Sequence, residues 1–128
     1  MRYLLDTHVL LWTLYAPEKL SPKMRDVLSD PEPEIWFSAA NIWEIAIKSG
    51  LGRPDFTVDP LEARMGALHL GFIEVAVDGA HGCAVRALPD IHRDPFDRIL
   101  VAQAAAVDLT LLTHDESVAK YPGKIQLV

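Results

Sequence analysis

Met1-Arg2-Tyr3-Leu4-Leu5-Asp6-Thr7-His8-Val9-Leu10-Leu11-Trp12 is the stretch on which the reading of this chain turns. Its apolar run, Tyr3 to Leu5, does not alternate with polar residues. Such a run reads as a strand buried on both faces, as in the middle of a parallel sheet covered by helices. Asp6 then falls at the carboxyl edge of the sheet, where open α/β sheets bind their ligands. Asp6-Thr7 can equally cap the helix that follows, because both side chains satisfy orphan amides. Three more acidic positions repeat this arrangement.

Val9 to Tyr15 reads as a helix ended by Ala16-Pro17, and Ser21-Pro22 opens a second through Met24, Val27 and Leu28. After the turn Asp30-Pro31-Glu32-Pro33 comes a short strand, Ile35-Trp36-Phe37. Ser38 then caps a helix running to about Ser49, where Gly50 stops it. Asp59-Pro60 opens a fourth helix to Gly71, followed by a brief strand from Phe72 to Val75. Asp78 caps a short helix through Val85 and Leu88. Asp94-Pro95 starts a strongly apolar helix to Val107. Leu109 to Leu112 is the next strand and ends in Thr113-His114-Asp115-Glu116; a short helix to Lys120 and a last strand, Lys124 to Val128, complete the chain. Strands alternating with helices predict an α/β fold, a three-layer α/β/α sandwich around a central parallel sheet. No composition shift or repeat divides residues 1–128, so one domain is expected.

The acids carry the chemistry. Ile42, Trp43, Ile45, Ala46 and Ile47 surround Glu44 on its helix. A buried Glu costs several kcal/mol unless it is paired, protonated or on a metal, and Lys48 at i+4 offers pairing. Asp94 and Asp97 share one side of a first helical turn, where the dipole favours acids without any function. Asp6, Glu44, Asp97 and Asp115 each close or interrupt an apolar element, so they can converge at one edge. Two carboxylates about 4 Å apart repel by about 4 kcal/mol at an effective dielectric of 20, so such a cluster needs cations or protons. With one cysteine, Cys83, and no zinc-type His pair, the donors suit Mg2+ or Mn2+. His8, His92 and His114 read as neighbours of the acids. An all-carboxylate metal edge, without a glycine-rich phosphate loop or a nucleophilic triad, suits transfer of water to phosphorus.

Composition narrows the class. A formal charge of −6 excludes a protein that coats nucleic acid electrostatically more firmly than an enzyme that cuts it. The lone Cys83 rules out an internal disulfide and reads as a small buried hydrophobe. No apolar run is long enough to span a membrane and no signal peptide is evident, so a cytoplasmic location is expected.

Three segments together carry a resemblance: Tyr3-Leu4-Leu5-Asp6-Thr7-His8-Val9-Leu10-Leu11-Trp12, Ser38-Ala39-Ala40-Asn41-Ile42-Trp43-Glu44-Ile45-Ala46-Ile47-Lys48, and His92-Arg93-Asp94-Pro95-Phe96-Asp97-Arg98. The chain resembles the PIN-domain ribonucleases, specifically the VapC-type toxins of bacterial toxin–antitoxin pairs, nearly end to end. The resemblance implies a parallel five-stranded sheet with the first strand central and a magnesium- or manganese-dependent endoribonuclease. It also implies a cognate antitoxin and a homodimer paired through helices. Residue by residue, it implies Asp6, Glu44 and Asp97 as catalytic, metal-holding acids. Asp115 is the best match to a variable fourth, with Glu116 beside it and Asp94 one turn from Asp97 as additional acids. Lys48, Arg93 and Arg98 are by position the expected phosphate contacts. Leu11 and Trp12 with Trp43 and Ile47 are expected to form an apolar groove that takes an antitoxin helix.

Two rival readings are discriminated by particular features. A phosphatase of the haloacid dehalogenase type also begins with a strand and an Asp, but its pattern resembles Asp-x-Asp, whereas position 8 here is His. A non-catalytic scaffold that only binds a partner has no use for an intact set of acids.

Overall fold

The computed structural model describes residues 1–128. Five parallel strands form one sheet: β1 (Arg2–Leu5), β2 (Glu34–Ser38), β3 (Ile73–Val75), β4 (Thr110–Thr113) and β5 (Ile125–Leu127), in the spatial order β3-β2-β1-β4-β5. Strand β1 is central. It pairs Tyr3 with Ile35 on one side and with Thr110 on the other, and Leu5 lies opposite Leu112. Six helices connect the strands: α1 (Thr7–Tyr15), α2 (Pro22–Ser29), α3 (Ala39–Ser49), α4 (Pro60–His69), α5 (Gly79–Val85) and α6 (Pro95–Ala106). Short 3-10 turns stand at Pro17–Lys19 and Val118–Lys120, the latter in place of the expected short helix.

Successive residues of a strand point to opposite faces, and this splits the core into two layers. Leu4 and Leu111 pack with Leu100, Val101 and Ala104 of α6. Leu5, Phe37 and Leu112 pack with Val9 and Leu10 of α1, Met24 of α2 and Ala67 of α4. Leu4, Leu5, Phe37, Leu111 and Leu112 are all fully buried, which explains why these strands carry no hydrophobic alternation.

Local capping sets where the helices begin. Ser21, Ser38, Asp59, Asp78 and Asp94 each accept a backbone N–H of the helix they precede, as the sequence predicts. Gly50 does end α3, but at φ −69°, so its glycine is not there for left-handed backbone. That conformation belongs to Gly71, φ +85°, which closes α4 by donating to the Leu68 carbonyl while Phe72 donates to Ala67. Cys83 is a correction: it is exposed on α5, because the buried side of that short helix is taken by His81. No helix is long and apolar enough to cross a membrane.

Phe37 is the largest of the fully buried side chains on the central strands. Phe37→Ala should therefore lower the unfolding free energy by about 3–5 kcal/mol, read as a shift of the urea midpoint at unchanged slope.

Candidate active site

Parallel strands all end on the same side, so the residues that follow β1 and β4 meet side chains of α1, α3 and the start of α6 at one edge. There, a cavity of about 170 Å³ is lined by Asp6, Thr7, His8, Glu44, Lys48, His92, Asp94, Asp97, His114 and Asp115, with no apolar residue among them. All four acids expected at the site reach it, and Asp94 joins them. Glu116 is exposed and lies outside the lining.

Asp6 is almost wholly buried and accepts three hydrogen bonds. Oδ1 takes the Val9 amide at 2.8 Å, while Oδ2 takes the Thr113 hydroxyl at 2.6 Å and the His114 amide at 3.2 Å. Helix cap and site acid are thus one residue. Glu44 is 3 % exposed, and its two oxygens have separate partners: Thr7 Oγ1 donates to Oε1 at 2.5 Å and Lys48 Nζ to Oε2. The i,i+4 pairing therefore forms, and it holds Glu44 in the cavity wall rather than removing it from the site.

Behind these two acids runs a buried polar chain. Asn41 Nδ2 donates to Thr7 Oγ1 at 3.0 Å, and Asn41 Oδ1 accepts the Ser38 amide at 2.6 Å. Ser38 Oγ donates to Gln103 Oε1 at 2.5 Å, and Gln103 Nε2 donates to the Ala76 carbonyl at 3.3 Å. Each member satisfies the next, which fixes the rotamers beneath the cavity. Sequence reasoning missed Asn41, Thr113 and Gln103. Only Asn41 leaves a local signal, lying one turn before Glu44 on the same face of α3.

On the opposite wall Asp94 Oδ1 caps α6 by accepting the amides of Phe96 and Asp97. The Asp94 amide in turn donates to His92 Nδ1 at 3.0 Å. Neutral His92 therefore carries its proton on Nε2, which lies 3.6 Å from Asp97 and 3.4 Å from Asp115. Asp115 Oδ1 accepts the amides of Ser117 and Val118. Burial alone would raise its pKa, yet those amides and His92 bring it below the ordinary value. Asp97 is the reverse case: burial first, then repulsion from Asp94, Glu44 and Asp6, pushes its pKa up to about 7 against the pull of His92. His114 Nδ1 has no hydrogen-bond partner and stands 3.6 Å from Asp6 Oδ2. Its pKa is raised, chiefly by that contact with Asp6, against the effect of burial.

The cationic expectations divide. Lys48 lines the cavity with its ammonium on Glu44. Arg93 is exposed and outside the lining. Arg98 is a correction: its guanidinium donates to the carbonyls of Val85, Pro89 and His92 and to the Tyr121 hydroxyl, so it fastens the loop before α6 and is not free for a phosphate. Trp12 is a second correction, because it packs on His8 and His114 beside the acids and not with Trp43. The apolar groove lies instead between α3, α5 and α6, about 490 Å³ lined by Ala39, Ala40, Trp43, Val85, Pro95 and Ile99 among others.

The donor set fits a hard divalent cation. Five carboxylates face one lysine and three histidines, and the uncompensated charge shows in the raised pKa of Asp97. Ligand atoms of His92, Asp97 and Asp115 lie within 4.8 Å of one another. His92 Nε2 keeps its proton as long as Nδ1 accepts the Asp94 amide, which leaves oxygen donors as the natural ligands.

The PIN domain model matches residues 3–124, and the chain belongs to the PIN-domain family. PIN domains are typically metal-dependent nucleases. No curated protein matches the chain by sequence. Among solved structures it is similar to VapBC2 from Rickettsia felis bound to a DNA fragment from their promoter, at 12% identity and a TM-score of 0.72, covering 100% of this chain and 99% of that one. A toxin–antitoxin complex from Klebsiella pneumoniae matches at 16% identity and a TM-score of 0.64, covering 97% and 95%. VapBC-1 from nontypeable Haemophilus influenzae matches at 15% identity and a TM-score of 0.62, covering 99% and 98%. At these identities the likeness is one of fold.

Asp97 also makes the ion-free protein pH-sensitive. Because its pKa rises on folding from 3.8 to about 7, the unfolded chain loses this proton at lower pH than the folded chain. Stability is untouched below pH 3.8, falls between the two values and stays reduced above the upper one. In the presence of a chelator, Asp97→Asn should remove this loss and raise stability at pH 8 by on the order of 2 kcal/mol, partial exposure having screened the full effect. Thermal melts of both proteins at pH 5 and 8 check it; equal pH slopes would be the contrary result.

Proposed function

We propose that this chain is a magnesium- or manganese-dependent endoribonuclease, the toxin of a type II toxin–antitoxin pair, acting in the cytoplasm as one domain over residues 1–128. The observation that carries the reading is the convergence of Asp6, Glu44, Asp97 and Asp115 on one small cavity at the carboxyl edge of the sheet. These acids would hold the cation, with Asp94 capping α6 beside them. When bound, Mg2+ or Mn2+ supplies a water of lowered pKa and positive charge against a phosphate. The protein's own part is to present those oxygens rigidly. Thr7 and Lys48 fix Glu44, Thr113 and the His114 amide fix Asp6, and the amides of Ser117 and Val118 fix Asp115. Lys48, half-buried at the cavity wall, is the cation placed to meet an RNA phosphate. Membership of the PIN family removes the phosphatase alternative.

Asp97→Asn should abolish cleavage of single-stranded RNA in manganese while the protein melts no lower than wild type. Gel assays and melts on the same preparations check both halves, and a variant that cuts at the wild-type rate sinks the reading. A non-catalytic scaffold would show no cleavage in either protein.

Partners follow from exposed apolar surface and from the toxin–antitoxin complexes that share the fold. Trp43 is 63% exposed at the groove between α3, α5 and α6, and this groove is the proposed seat of an antitoxin segment. Leu61, Met65 and Leu68 form an exposed stripe at helical spacing along α4, the proposed homodimer face. Met65→Asp should shift the chain from dimer to monomer in sedimentation velocity at micromolar concentration. A wild type that sediments as a monomer, or a variant that stays dimeric, would remove this face.

A further inference from the structure

Three rings outside the acid set remain without a role. His8 and Trp12 are one turn apart on α1, and the His114 ring, from the loop after β4, packs against both. Ring centroids are 4.7 Å from His8 to His114, 4.7 Å from Trp12 to His114 and 6.0 Å from His8 to Trp12. The cluster borders the core through half-buried Trp12 alone. His8 is exposed, and His8 and His114 line the same cavity as the acids.

Its offset from the site is fixed by Asp6. The Val9 amide, next to His8, binds one oxygen of that carboxylate, and the His114 amide binds the other. The backbone that carries His8 and His114 is therefore tied to the acid on both sides. The rings are tilted against one another by 57–65° and form an aromatic wall rather than one plane; a single ring face with polar edges, held beside a cavity without apolar lining, suits a nucleobase better than an apolar peptide side chain. Unpaired bases are commonly received by stacking on His and Trp rings.

We propose that His8, backed by His114 and Trp12, is a stacking platform for the base of a nucleotide adjoining the cut phosphate, so that it positions single-stranded RNA and biases which nucleotide is cut. This rests on the nuclease reading above. His8 is a substrate-positioning residue here, with no part in the bond-breaking step, so its loss should appear in KM rather than in kcat.

The test uses the full chain in manganese and a ten-nucleotide oligoadenylate carrying a 5′ fluorescent label. The cut is mapped first, and decamers with an abasic ribose on either side of it are then compared. His8→Ala should raise KM about tenfold on the intact decamer, the order of one lost stacked base. It should leave kcat within about twofold and the melting temperature within about 2 °C, as for an exposed substitution. His8→Phe should restore KM. On one of the two abasic decamers, wild type and His8→Ala should have the same KM. An equal penalty on all three decamers, a loss in kcat alone, or no change in KM would each overturn the platform while leaving the nuclease intact. Failure of the wild type to cut any decamer overturns the nuclease reading and the platform with it.

Discussion

The Asp6 carboxylate is the interaction on which the rest of the structure depends. Its donors come from two elements, the first turn of α1 and the end of β4 with the residue that follows it. The Asp6 amide donates to the Leu112 carbonyl, so the residue is also the last rung between β1 and β4. Charge-assisted hydrogen bonds of this kind are about twice as strong as neutral ones. A buried carboxylate needs several of them to offset its lost hydration. The alternatives posed by the sequence, helix cap or functional acid, therefore do not compete. One oxygen caps, the other locks the β4 loop, and the group still borders the cavity.

What could be read in advance follows the range of the interaction. Capping acts within three residues, and Ser21, Ser38, Asp59, Asp78 and Asp94 stand in the sequence where the helices begin. The double-sided burial of β1 and β4 was visible in unbroken apolar runs. The network beneath the site was not visible, because its pairs are separated by 37, 34 and 65 residues at Thr7–Glu44, Asn41–Thr7 and Ser38–Gln103. Hydroxyl and amide side chains have many possible partners, and only the fold selects one. Arg98 was misread for the same reason: an arginine beside an acidic motif looks like a phosphate ligand until carbonyls from Val85, Pro89 and His92 are found around it. In sequence Asp115 is the better match to the fourth acid and Glu116 its neighbour; the amides of Ser117 and Val118 hold Asp115 at the cavity, while Glu116 is exposed.

The acids of the cavity are alike in type but not in state. Asp115 sits among amide donors and near His92, and its proton is released more readily than usual. Asp97 is half-buried near Asp94 and Glu44, and at neutral pH it retains a proton for part of the time. Four of the five carboxylates have donors on one or both oxygens, while none of the hydrogen bonds described above reaches the Asp97 carboxylate. The unequal burden falls where the cavity has least compensation. A divalent cation among these oxygens is equivalent to supplying the missing charge, so the same repulsion that destabilises the ion-free protein favours its uptake.

This arrangement also reconciles a formal charge of −6 with the polyanionic substrate of the proposed activity. Five of the eighteen acidic residues are collected in one recess, so they do not spread repulsion evenly over the surface an RNA strand would cross. Within the recess Lys48 is the single lysine against five carboxylates and is shared with Glu44, so a phosphate approaching the bare site would meet net like charge at short range. At the rim, the proposed platform of His8, Trp12 and His114 would meet a base through its face, which carries no net charge. Affinity that comes from stacking is insensitive to the sign of the protein's charge, whereas affinity for the backbone is not. An acidic chain that handles single-stranded nucleic acid is thus expected to hold it by its bases and to admit the phosphate only where a cation has replaced the proton on the acids.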